Sequence, residues 1–100
     1  MNSESSLDIL KKGSKIWNNW RFQNSSAKID FRKLNEENLN FRDCNLEGAK
    51  FNESKLHRIN LTNAKLKNSI FTNSELQDSY FTRADLNEAN FNYSYLRKTH

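Results

Sequence analysis

Residues 41–96 read FRDCNLEGAKFNESKLHRINLTNAKLKNSIFTNSELQDSYFTRADLNEANFNYSYL. Every fifth residue from the first is Leu or Phe: Phe41, Leu46, Phe51, Leu56, Leu61, Leu66, Phe71, Leu76, Phe81, Leu86, Phe91 and Leu96, without one exception. The whole chain has eleven Leu and seven Phe, so a lattice that claims twelve of the eighteen is not chance. Two residues before each lattice point stands a small or apolar side chain: Leu39, Cys44, Ala49, Ser54, Ile59, Ala64, Ser69, Ser74, Ser79, Ala84, Ala89 and Ser94. The other three positions of each five are almost all polar, with Ile70, Tyr80, Tyr93 and Tyr95 the chief departures. A helix repeats its inward face every 3.6 residues and a strand every 2, so a period of five belongs to neither. It implies a tightly wound solenoid in which each five-residue unit is one short side and a corner.

Units such as Ala64-Lys65-Leu66-Lys67-Asn68, Ala84-Asp85-Leu86-Asn87-Glu88 and Ala89-Asn90-Phe91-Asn92-Tyr93 resemble the A(D/N)LXX motif of pentapeptide-repeat proteins. The resemblance implies an all-β, right-handed quadrilateral parallel β-helix, four units to a coil, with the Leu or Phe at the core centre of each side and the small residue beside it pointing inward. Folding the lattice at twenty residues tests that internally. One side then stacks Leu46, Leu66 and Leu86, the next Phe51, Phe71 and Phe91, and the next Leu56, Leu76 and Leu96; only the side of Phe41, Leu61 and Phe81 is mixed. Like-on-like columns are what strands stacked about 4.8 Å apart produce. The same folding sets Lys55 under Glu75, Glu47 under Lys67 and Lys65 under Asp85, and alternates Arg58, Asp78 and Lys98, so the surface charge is expected to form ladders between coils.

Before the lattice, Leu7, Leu10, Trp17 and Trp20 recur at helical spacing, with Ser5 or Ser6 and Asp8 placed as an N-terminal cap. The spacing predicts one amphipathic helix over residues 7–21, weakened near Gly13. The open end of a β-solenoid exposes unpaired backbone groups and an apolar cross-section that native proteins cover, and two tryptophans are large enough to do so. The helix is also similar to a leader found before many bacterial pentapeptide domains. The chain therefore divides into a capping helix and linker at 1–28 and a solenoid at 29–100. Ile29-Asp30-Phe31 reads as a first unit, but Glu36 then occupies a core centre, where a carboxylate is costly unless paired, so about three regular coils are expected from 39 onward.

Net charge is +4 with pI about 9.3 and mean hydropathy −0.98. The basic excess is spread along the chain, which argues against nucleic-acid binding. Cys44 stands where other units have Ala, so it reads as a small packed side chain. His57 and His100 have no second metal ligand at suitable spacing, and with two glycines, Gly13 and Gly48, no phosphate loop can be built. The expectation is a protein that is no enzyme and holds no cofactor, metal or small-molecule substrate. No stretch approaches the apolar run a membrane span needs, which points to a cytoplasmic protein. What remains is surface. Ile70, Tyr80, Tyr93 and Tyr95 form a candidate protein interface near an upper end that nothing evident covers, and end-to-end homodimerisation through 93–100 follows. One alternative is the topoisomerase-protecting DNA-mimic role known in the family, which positive charge and short length disfavour. A second is an adaptor anchored to a membrane or partner by the Trp-containing helix.

Overall fold

The computed structural model describes residues 5–100. The expected helix is two: α1, Ser6–Leu10, and α2, Ser14–Gln23. The Ser5 hydroxyl caps α1 by accepting the Asp8 N–H at 3.1 Å. The break is at Gly13, whose φ of 105° is a conformation that side chains with a Cβ rarely adopt. Its carbonyl accepts the Trp17 N–H at 3.0 Å and so starts α2.

From Asp30 onward the chain coils. Partners in the parallel ladder lie twenty residues apart, from Asp30 with Lys50 to Glu75 with Tyr95. Only two sides are long enough to be regular strands, β1 at Asn35–Glu37 and β2 at Lys55–His57, which pair in parallel with Glu36 opposite Leu56. The rest are single bridged residues between corners, so the coil is a β-helix with little regular strand. The corners explain this. Every fifth residue from Lys33 to Lys98 has φ between 56° and 74°, which interrupts extended backbone once per unit. Asn and Asp tolerate that region best, and Asn38, Asp43, Asn63, Asn68, Asn73 and Asp78 occupy it here. The ladder thus begins at Asp30, and Phe31 is already buried, one unit pair earlier than the lattice indicates.

Serines in the small-residue columns set the shape of corners one coil below. Under Ala64 the corner at Cys44 closes on itself, Cys44 N–H donating to the Phe41 carbonyl (3.2 Å), and the corner at Ala49 closes likewise on the Leu46 carbonyl (3.0 Å) although Ser69 lies above it with its hydroxyl unpartnered. Ser54 instead inserts its hydroxyl, donating to the Phe31 carbonyl and accepting the Leu34 N–H, each at 3.1 Å. Ser79 does the same between the Leu56 carbonyl (3.1 Å) and the Ile59 N–H (3.0 Å), and Ser74 donates to the Phe51 carbonyl at 2.7 Å. Both β1 and β2 follow corners opened in this way.

The interior is the lattice. Phe31, Phe51, Phe71 and Phe91 form one column with ring centroids 5.4, 4.8 and 4.9 Å apart. Phe41, Leu46, Phe51, Leu56, Leu61, Leu66, Phe71 and Leu76 are at most 1% exposed. The expectation that Leu86 and Leu96 are core centres is corrected: they are 38% and 42% exposed, and Phe81 and Phe91 only half-buried, because no described coil lies above them.

The lower end is closed by the helices. Leu10 and Trp17 are fully buried, and Leu7 and Trp20 pack against them. Trp17 stacks at 6.1 Å on Phe31 and 5.1 Å on Trp20. Its indole N–H donates to the Asn45 carbonyl at 2.7 Å, while the Asn18 side-chain oxygen accepts the Asn45 N–H at 2.7 Å and its amide donates to the Asp43 carbonyl at 2.9 Å. One coil higher, the equivalent groups of Lys65 are paired with Leu46 and Cys44 below. Trp17 and Asn18 therefore stand in, on the Asn45 side, for the backbone that a lower coil would supply. Glu36 is not stranded: the Lys11 ammonium reaches it from the end of α1 at 3.1 Å.

The charge ladders are also corrected. Among the described residues the charged partners between coils run diagonally, Arg58 to Glu37 at 2.6 Å and the His57 ring to Glu75 at 3.3 Å, where direct stacking of Lys55 on Glu75 was expected, and Arg32–Asp30 and Arg42–Asp43 pair within one coil. Long side chains two residues apart on one face reach across to the neighbouring column. His57, read as exposed filler, is the partner Glu75 takes.

Candidate interaction surface

The last coil described, residues 81–100, rests on the one below, and no described residue lies over it. In lower coils the N–H groups of Leu46, Phe51 and Leu56 donate upward to Lys65, Ile70 and Glu75 carbonyls at 2.7–2.8 Å, and the Cys44, Ala49 and Ser54 carbonyls accept from above at 2.8–3.0 Å. The corresponding upward groups of the last coil are the N–H of Leu86, Phe91 and Leu96 and the carbonyls of Ala84, Ala89 and Ser94, and none has a partner among the described residues. An apolar patch of Phe81, Leu86, Phe91 and Leu96 lies inside this ring of backbone groups.

Aromatic side chains rim it. Tyr80 is 47% exposed and stacks on His100 at 4.8 Å with rings tilted by 16°. Tyr95 is 65% exposed and Tyr93 84%. Tyr93 is a corner residue with φ of 62°, a backbone region where a bulky side chain is less favourable than Asn or Gly, so the position carries an aromatic ring at some conformational cost. Ile70 does not join this group: it is half-buried, paired with Lys50 below and Asn90 above, one coil beneath the open end. The sequence reading thus found the tyrosines and missed Leu86, Leu96 and His100. The signal was available, since the last turn of any stack lacks a covering turn and its centres face out.

Elsewhere the chemistry is spent. Cys44 is fully buried, and burial first, then the charge of Asp43, pushes its thiol up to about 12, so it is no nucleophile at neutral pH. The bidentate Arg32 partner and the Arg32 N–H hold the Asp30 carboxyl at about 2. A groove of about 690 Å³ beside α2 is lined by Arg21, Phe22, Ser25, Glu47 and Gly48, but the Arg21 guanidinium is taken up by the carbonyls of Asn24, Ser25 and Ala27. Among the described residues no three of His, Cys, Asp and Glu converge as a metal ion would need. No helix among them is long and apolar enough to cross a membrane.

Coils of twenty residues with a corner every five, Leu or Phe at each centre and a small residue beside it, define a pentapeptide-repeat solenoid. The family model described as the pentapeptide repeat region matches residues 15–91, and the chain belongs to that family. A comparison with curated proteins returns no match.

Proposed function

We propose that the protein is a non-enzymatic interaction module whose contact surface is the open upper end of the solenoid. The observation that carries this reading is the coincidence there of three features: unpaired backbone donors and acceptors, exposed Leu86 and Leu96, and a rim of Tyr80, Tyr93 and Tyr95. Exposed sheet edges recruit other chains, and Tyr is enriched where binding energy concentrates. At the lower end Trp17 and Asn18 bond the backbone of Asn45 and the helices cover the apolar floor, whereas the upward groups of residues 84–96 have no partner among the described residues. The burial of Trp17 and the packing of Trp20 on the core argue against the helix as a membrane anchor, since both indoles are occupied and Ile16 and Phe22 alone stay exposed among its large apolar side chains. A net charge of +4 argues against mimicry of a nucleic acid. The test is affinity capture with the wild-type protein and with Leu86→Glu/Leu96→Glu. Loss of every specific partner in the variant, with unchanged circular dichroism, is the expected result; equal capture by both would end the reading.

A further inference from the structure

The lower end shows which chemistry closes an open end of this solenoid, and the same chemistry names an occupant for the upper end, an inference that rests on the contact-surface reading above. Inside the stack, each bridging residue takes a carbonyl and an N–H from two residues of the coil below that flank a third. Lys65 takes the Cys44 carbonyl and the Leu46 N–H at 3.0 and 2.8 Å, and Ile70 takes the Ala49 carbonyl and the Phe51 N–H at 3.0 and 2.7 Å. At the lower end the Asp43 carbonyl and the Asn45 N–H form the same kind of pair. One side chain takes both: the Asn18 carboxamide, at 2.9 and 2.7 Å. Beside it Trp17 lies on Phe31 and lengthens the phenylalanine column by one ring.

The upper end repeats both features. Its open pairs are the Ala84 carbonyl with the Leu86 N–H, Ala89 with Phe91, and Ser94 with Leu96, while the Ser79 and Phe81 pair is taken by His100. Phe91, stacked on Phe71, is the half-buried top of the phenylalanine column. Charge on the rim is polarised along one diagonal. Arg97 and Lys98 stand at one corner and Glu88 at the opposite corner with Asp85 near it, and none of these four forms an ion pair among the described residues. A helix is positive at its N-terminus and negative at its C-terminus, so one laid along that diagonal starts at Glu88 and ends at Arg97 and Lys98. We propose that the upper end takes an amphipathic helix of a partner protein, which lays an aromatic ring on Phe91 and bridges a neighbouring open pair, Ala84 with Leu86 or Ser94 with Leu96, through an Asn or Gln carboxamide. Its last turn is acidic and faces Arg97 and Lys98. The cap shows that a short helix is enough. α2 has ten residues, a helix of that length is about 15 Å long, and the two shorter dimensions of the molecule are 25 and 21 Å. Docked in this way, the partner helix buries Leu86 and Leu96 and keeps its charged face in water. One helix covers less than a standard interface, so the contact is expected to have a Kd of about 10–100 μM.

The test uses as its probe a hydrocarbon-stapled peptide of residues 14–23, which carries the aromatic and carboxamide chemistry of α2 with its inner face uncovered. The staple replaces Lys15 and Asn19, both exposed in the protein, and fixes the helix in solution. Fluorescence anisotropy with the wild-type protein is expected to give a Kd of about 10–100 μM, and Leu86→Glu/Leu96→Glu to abolish binding up to about 1 mM. Within the peptide, Asn18→Ala is expected to weaken binding about five- to tenfold. Gln23→Glu is expected to tighten it about two- to fivefold, a gain that Arg97→Ala/Lys98→Ala in the protein removes. No binding of the peptide at about 1 mM, equal binding to Leu86→Glu/Leu96→Glu, or indifference to Asn18→Ala overturns the helical occupant. A Gln23→Glu peptide that binds no tighter overturns its orientation. If the helix falls while Leu86→Glu/Leu96→Glu still loses its captured partners, the contact surface stands with another occupant, a second copy of the chain or an extended strand. If capture is also unchanged, both readings fall.

Discussion

The two ends of the solenoid face the same physical problem and treat it differently. Each presents a cross-section of Leu and Phe ringed by backbone groups that the next coil would satisfy. At the lower end an indole N–H and one asparagine side chain take the hydrogen bonds of that missing coil on the Asn45 side, Leu10 and Trp17 cover the apolar floor, and Lys11 neutralises Glu36. At the upper end the equivalent groups stay free and Leu86 and Leu96 remain about 40% exposed. Stability is therefore expected to depend on the lower end and, in the proposed reading, contact on the upper.

That contrast is sharpest for the largest side chains. Trp17→Ala removes the cap's buried ring and the bond to Asn45, and is expected to destabilise by about 3–5 kcal/mol in chemical denaturation. A loss under about 1 kcal/mol would mean that the cap is dispensable. Asn18→Ala leaves the Asn45 N–H and the Asp43 carbonyl unpartnered and is expected to cost about 1–3 kcal/mol by the same measurement, with the N-terminal helices exchanging amide protons first. The serine columns give a contrast of sign within the stack. Ser79→Ala breaks the bridge between Leu56 and Ile59 and is expected to destabilise, whereas Ser69, buried with an unpartnered hydroxyl, can become Ala with a gain of up to about 1 kcal/mol. Leu96→Ser at the upper end, measured on the monomer, is expected to shift stability by less than about 1 kcal/mol.

Cys44 supplies a pH test of the same interior. Its folded pKa of about 12 lies above the ordinary 9.0, so the unfolded chain releases the thiol proton first as pH rises. Stability is full below about 9 and declines from there towards 12, and Cys44→Ala should flatten that part of the profile. A thiol reagent at neutral pH is expected to leave the folded protein unmodified.

The lattice was legible because a side chain that must point inward on every unit leaves the same residue class every fifth place. The corners and the twenty-residue register follow from it. The ends were less legible, since what closes them is not periodic. Nothing near Glu36 in sequence announces Lys11, which meets it from twenty-five residues away in a separate helix. Asn18 reads as an ordinary polar helix residue until its amide is found standing in for a peptide unit. The serines were read for size alone, although the hydroxyls of Ser54, Ser74 and Ser79 bridge the corners beneath them. Charge was legible in register but not in pairing, because long side chains on one face choose diagonal partners.

The serine bridges impose an order on how the molecule can be made. Synthesis delivers α1 and α2 first, then the coil they cover, so the growing chain has a closed floor before it has walls. The corner between Phe31 and Leu34 cannot take its final form until Ser54 arrives twenty residues later, and the corner between Leu56 and Ile59 waits likewise for Ser79. Each of these corners is finished by the coil that follows it.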